Sequence, residues 1–376
     1  MRIYGILSTV ICFAFLNSAY HNPESTEDIP TESLRKVYSQ SSEKWPKPTV
    51  DDWTNFEELA QLPSSPFNTI KLQDQIILGR LLFHDPRLSG SNQISCASCH
   101  SSDLNWTDGR RVSLGHDHQT TNRNTPTIEN SWAQKTFFWD GRAADMKAQA
   151  IESISNPTEM NQDPQLIPGK LERISGYVPY FQKAFGDSNI NLDRVLEAIV
   201  IFQKSISSRK SAFDNFLIGE YQALTDQQIH GLHLFRTKAR CINCHQGAFF
   251  TDNSFHNLGL TNYKNPRFED LGLYNFTKNP ADVGKFKTPT LRNALRTGPW
   301  MHNGIFNDVQ ALIQNYNVGM PSVIPNATQA KDPLWPKSDE KLKVLHLTAV
   351  EQQAIIAFLN GLTSIPRRMD QPQLPR

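Results

Sequence analysis

The sequence predicts a mainly α protein with long loops and few strands, and three observations carry that prediction. Apolar residues recur at helical spacing in several separate windows, and sustained alternation of apolar and polar residues is scarce. The pentapeptide Cys96-Ala97-Ser98-Cys99-His100 returns as Cys241-Ile242-Asn243-Cys244-His245. In a C-x-x-C-H motif the two cysteines form thioethers with the vinyl groups of a haem, and the histidine becomes an axial iron ligand. Two cysteine pairs could instead supply thiolates to a zinc ion or act as redox dithiols. Neither alternative calls for a histidine directly after both second cysteines. The reading is therefore two covalently bound haem c groups, in two cytochrome c-like domains.

Length and composition agree. A chain of 376 residues exceeds one ordinary core. Its hydrophobic fraction of 38% is modest, as expected where large apolar cofactors complete each core. Lys and Arg number 38 against 37 Asp and Glu, and loss of Arg2 with a leader brings them level. Nothing in that balance points to nucleic acid or an anionic membrane surface. The two motifs use four of the five cysteines, leaving Cys12 spare and no disulfide framework.

Taken in order, residues 1–19 read as a cleaved signal peptide: Arg2, the apolar run Gly5 to Leu16, then Asn17-Ser18-Ala19. The run is too short for comfortable bilayer crossing, and bulky Ile11 disfavours lipoprotein processing at Cys12. The mature chain is expected to be soluble and periplasmic, without stable membrane insertion. Residues 20–65 are polar and proline-punctuated, a tether followed by an arm packed on the domain surface. Helical periodicity starts near Gln73 and stops at Asp85-Pro86; further helices are expected over Ala143–Ile154, Pro168–Phe185 and Asn191–Ser207. The first haem domain is placed at 66–208 and the second at 209–376, with the last helix and tail free to pack back on the first. In the second, Thr225-x-x-Gln228 and Thr348-x-x-Glu351 have capping-box spacing, and Asn307 is expected to cap a helix ended by Gly319. Asp252 to Lys287 reads mostly as loop.

Three further texts, Leu78-Gly79-Arg80-Leu81-Leu82-Phe83-His84-Asp85-Pro86-Arg87-Leu88-Ser89, Phe138-Trp139-Asp140-Gly141-Arg142-Ala143 and Phe286-Lys287-Thr288-Pro289-Thr290-Leu291-Arg292-Asn293, flank the motifs. With them the chain resembles the bacterial dihaem cytochrome c peroxidases, the family that includes MauG, from about Leu78 to Leu362. The resemblance implies a peroxidatic first haem on His100 and an electron-transfer haem on His245. It places Gln149 and Glu159, ten and twenty residues after Trp139, in the distal pocket of the first haem. Glu159 is then the acid and base for peroxide cleavage, since one carboxylate can take and return the proton. Gln149 orients the peroxide, and Ser153 stands where the family often has proline. Trp139 is expected to relay electrons between the haems.

The resemblance also makes His116, sixteen residues after His100, a removable distal ligand, with His118 as rival. Tyr316, twenty-seven residues after Pro289, occupies the place where ordinary members carry a methionine ligand and MauG carries tyrosine. A phenol oxygen favours ferric or higher states of the second haem; Met301 and Met320 are the rival ligands. A calcium ion between the domains is implied on Asn124, Thr297 and Pro299. The expected function is reduction of hydrogen peroxide with electrons from a small cytochrome c or cupredoxin, in a chain that could be a homodimer. The alternatives are a MauG-like oxidase acting on a protein or organic substrate, and a dihaem electron carrier without turnover.

Overall fold

The computed structural model describes residues 31–321 and 324–376; the expected signal peptide and the start of the tether lie outside them. The described chain is mainly helical, with one two-stranded antiparallel sheet that pairs Phe255–His256 with Phe286–Lys287.

Each half is built on one crossed pair of helices. In the first, Gln73–His84 packs on Leu192–Ser205; in the second, Asp226–Arg236 packs on Ala349–Gly361. Both crossings are closed by a glycine. A Cβ on Gly79 would lie 1.9 Å from the Ala198 carbonyl oxygen, and one on Gly231 would lie 1.9 Å from that of Ala354. The residue four positions on is a buried phenylalanine each time. Phe202 meets Phe83 edge-on at 5.2 Å, and Phe358 meets Phe235 at 5.3 Å. The two cores are thus variations on one design, and each delivers its C-x-x-C-H motif just after the glycine-bearing helix.

Helix limits follow local chemistry. Thr225 and Thr348 accept from the Gln228 and Glu351 amides in reciprocal capping boxes. Asn191 caps Leu192–Ser205, and Asp145 caps Met146–Ser155. Two expectations need correction. The helix expected over Pro168–Phe185 is broken into Ile167–Glu172 and Val178–Phe185, joined through a 3-10 turn. Pro179, which has no N–H, sits in the first turn of the second piece, where none is needed. The helix Val309–Asn317 is capped by Asp308, whose carboxylate accepts from the Gln310 and Ala311 amides, rather than by Asn307.

The ends of the described chain cross over. The arm from Thr31–Tyr38 to Leu62 lies on the second half, where Leu34, Tyr38, Trp45 and Leu59 join its core. There the buried Arg236 guanidinium is paired with Glu58 and donates to the Pro46 carbonyl at 2.7 Å. The tail runs the other way: Arg87 donates to the Pro375 carbonyl at 2.9 Å, and the Gly176 amide donates to that of Arg376 at 2.9 Å. The last helix, Ala349–Gly361, stays in the second half; only the tail reaches the first. Among the described residues no helix is long and apolar enough to cross a membrane.

Candidate functional site

A cavity of about 1040 Å³ runs between the halves and is lined by both pentapeptides. Pockets for single ligands usually occupy roughly 300–1,000 Å³. The His100 Nδ1–H donates to the Trp106 carbonyl at 2.9 Å, and the His245 Nδ1–H donates to that of Phe250 at 3.0 Å. A carbonyl only accepts, so each ring proton sits on Nδ1 and each Nε2 is left as a lone pair for iron. Burial holds both imidazoles below their usual pKa, in the neutral form that ligates. Trp106 and Phe250 both have left-handed backbones, with φ of 62° and 54°. Such conformations cost a side-chain-bearing residue on the order of 1 kcal/mol, and here both aim a carbonyl at the ligand histidine.

The thiols fit haem attachment better than zinc or redox chemistry. Burial pushes Cys96 and Cys241 up to about 12 and Cys99 to about 11, so they stay un-ionised. Among the described residues the two pairs do not meet in one metal-ligating group; the group found is Cys244, Asp252 and His256. His256 is already held through both nitrogens, by Asp252 at 2.8 Å and Asp339 at 2.6 Å.

On the first motif's side the cavity wall includes Gln149, Ser153, Asn156 and Glu159. Gln149 Nε2 donates to the Ser153 hydroxyl at 2.9 Å, and Asn156 Nδ2 donates to Glu159 Oε1 at 2.8 Å. Burial raises the Glu159 carboxyl above its ordinary range, partly offset by hydrogen bonds from Ser153 and Asn156. The Ser153 hydroxyl therefore links the two expected residues, a role that sequence reasoning missed. Asn156 was legible only as a helix stop before Pro157.

His116 sits beside Glu159, with its ring Nδ1 buried and without a hydrogen-bond partner among the described residues. Its backbone N–H donates to the Glu159 carbonyl at 2.9 Å, yet the cavity is lined by Gly115 and not by the imidazole. His116 Nε2 lies 3.4 Å from Asp117, and His118 is exposed. The left-handed backbone at Asp117 and His118 turns this segment outward. Trp139 lines the cavity, and its Nε1–H donates to the Asn124 carbonyl at 2.8 Å.

Comparison with known proteins bears on the same residues. The di-haem cytochrome c peroxidase family matches residues 73–222. The methylamine utilization protein MauG of Methylophilus methylotrophus is 33% identical over 326 residues, 85% of this chain and 91% of that protein. The chain belongs to the dihaem cytochrome c peroxidase and MauG family. It is accordingly an oxidoreductase with two covalently bound haem c groups. The cytochrome-c peroxidase IdrP1 of Pseudomonas sp. (strain SCT) is 34% identical over 348 residues, 84% of this chain and 89% of that one. A crystal structure of a MauG-like protein associated with microbial copper homeostasis superposes with a TM-score of 0.70 at 29% identity, covering 83% of this chain and 95% of that chain. Overall identity does not separate the two branches, so the choice falls to individual residues.

In this dihaem peroxidase the second haem's opposite ligand is the most informative of them. Tyr316 lines the cavity, and burial raises its phenol pKa, with the Cys244 and Cys241 thiols nearby adding to the shift. Met301 also lines it but sits at a left-handed turn beside His302, whose carbonyl accepts from the Asn124 amide across the halves at 2.8 Å. Met320 is buried away from the cavity. Asn124, Thr297 and Pro299 all line the cavity. Asn124 Nδ2 is spent on the Arg110 carbonyl at 2.8 Å, which leaves its Oδ1 as an acceptor. Oxygen donors of this kind suit a hard cation such as calcium, with water completing the shell.

Proposed function

We propose that this dihaem peroxidase reduces hydrogen peroxide at the His100 site, with electrons entering through the His245 site. The observation that carries the reading is the Gln149–Ser153–Glu159–Asn156 group on the wall beside the first motif. A haem held by His100 would supply the iron centre at which peroxide is reduced. Glu159 takes the proton from the near peroxide oxygen and returns it to the leaving oxygen. Burial raises its pKa above the ordinary carboxylate range, the direction that suits a group that must both take and return a proton. Gln149 and Ser153 orient the peroxide, and Trp139 relays electrons. A carrier without turnover has no use for such a group.

A MauG-like oxidase is the second reading, and two observations favour it. Tyr316 is a phenol near the second motif, and His116 is absent from the cavity lining, as suits a first site that needs no prior reduction. Calcium held by Asn124, Thr297 and Pro299 would brace the boundary between the halves. For location we infer the periplasm, reached by the segment 1–19, because haem c is attached outside the cytoplasm; the donor there is a small cytochrome c or cupredoxin.

Stopped-flow mixing with peroxide tests both readings. Rapid reaction of the fully oxidised protein, followed by oxidation of a protein or organic reductant, supports the MauG-like branch. Reaction only after half reduction supports a peroxidase whose His116 blocks the iron until the other haem is reduced.

A further inference from the structure

The strongest unassigned feature is a half-buried guanidinium close to Trp139 in the fold. Arg123 Nη1 meets the Asp140 carboxylate at 2.6 Å, while its Nε and Nη2 grip both oxygens of Asp270 at 2.7 and 2.8 Å. Asp140 follows Trp139 in the first half; Asp270 belongs to the second. The same guanidinium lies 5.5 Å from the Phe286 ring, which stacks on His302 at 3.5 Å with only 9° between planes. Asn124, the next residue, accepts the Trp139 indole N–H and donates its own amide to the His302 carbonyl. The Trp139 carbonyl in turn accepts from the Lys287 amide at 2.8 Å. Trp139, Asn124, Arg123 and Asp140 thus close a ring in the first half, tied to the second at Asp270, His302 and Lys287.

We propose that Arg123 is a positioning residue for electron transfer through Trp139, holding the indole across the gap between the two haem sites by bridging Asp140 and Asp270. The proposal rests on reading Trp139 as the relay. In the transfer the indole gives one electron to the His100 site and takes one from the His245 site. Its N–H proton stays in place, because the Asn124 carbonyl is an acceptor but not a base. The indole therefore needs a fixed place rather than a proton partner. A lysine cannot replace Arg123, since one ammonium cannot make a two-pronged carboxylate contact and reach a second carboxylate.

The test compares Arg123→Lys, Asp270→Asn and Trp139→Phe in the haem-loaded protein. Asp270→Asn is the milder variant, because it leaves the Arg123–Asp140 contact intact. The proposal expects both clamp variants to slow transfer between the haems by about tenfold or more, as misplacement by ~1 Å can cost on the order of 100-fold. The initial rate of reaction with peroxide should be unchanged. Hydrogen exchange of the backbone over 137–143 should accelerate in the same variants, a readout independent of turnover. Faster exchange with undiminished transfer would overturn the proposal, leaving Arg123 a purely structural tie. If Trp139→Phe slows transfer and the clamp variants do not, the relay stands and the clamp falls. If Trp139→Phe leaves transfer unchanged, the relay reading fails and the clamp with it.

Discussion

Glu159, Tyr316 and His116 divide the chemistry between them. Replacing Glu159 with Gln keeps the Asn156 contact but removes the proton carrier, so peroxide turnover should fall by about 10²–10⁴-fold. The absorption spectrum should be retained, and an undiminished rate would transfer the role to another group. Tyr316→Phe should convert the second haem from a six-coordinate to a five-coordinate spectrum; an unchanged spectrum would pass the ligand to Met301. On the MauG-like reading His116→Ala leaves the reaction of the diferric protein with peroxide unaltered; a gain of that reaction would make His116 the removable ligand. The family resemblance pointed to Gln149 and Glu159 by their counts after Trp139, and both line the cavity. It singled out Ser153 only as a departure from proline and gave no sign of its bond with Gln149 or of Asn156, since such hydroxyls and amides are common on any surface and carry no pattern of their own. Nor could it tell which way His116 points, since residue counting fixes a Cα and not a ring.

The two crossed helix pairs make a sharper demand than any single side chain. At Gly79 and Gly231 an added methyl meets a backbone carbonyl on the partner helix, so the helices must separate. Gly79→Ala and Gly231→Ala should each lower stability by at least about 1–3 kcal/mol, measured by denaturant unfolding of the haem-loaded protein. A neutral result would mean that the crossing is looser than its geometry. The partner text was open to reading: Ala198-Ile199-Val200-Ile201-Phe202 returns as Ala354-Ile355-Ile356-Ala357-Phe358. Amphipathic spacing alone marked both stretches as helix without showing that they play the same part. Helices with strong caps were legible for a physical reason, since caps are local. The Thr31–Tyr38 and Ala212–Leu217 helices were not, because they are short and owe their stability to tertiary contact.

Across the molecule, a buried ion pair joins arm and second core. Arg292 meets Asp214 at 2.8 and 3.0 Å, and Asp214 also accepts the Leu62 amide of the arm at 2.7 Å. Burial alone would raise the Asp214 carboxyl, but the Arg292 contacts and backbone donors hold it below its usual value. A carboxyl lowered in the folded state contributes stability above its unfolded pKa, about 3.9, and loses it as pH falls through the folded value. Acid unfolding of the wild type should therefore include a contribution absent from Asp214→Asn. That variant strands a buried guanidinium, for a loss of roughly 3–5 kcal/mol at neutral pH. Identical acid profiles would show that the pair is not coupled to unfolding. The exchange of arm and tail between the halves was only partly foreseeable, since polar, proline-rich text predicts an extended segment but not its destination.

That exchange sets an order in time. A chain emerges from the ribosome with its amino end first, so the arm around Leu34 and Trp45 exists well before the second core that receives it. Conversely, Arg87 and Gly176 wait for Pro375 and Arg376, which follow them by 288 and 200 positions. Neither half can finish alone, and a nascent chain carrying only the first pentapeptide keeps that half unsealed. Once exported, Cys96 and Cys99 would thus remain within reach of the attachment machinery until that downstream segment has docked, and closure would follow haem loading rather than compete with it.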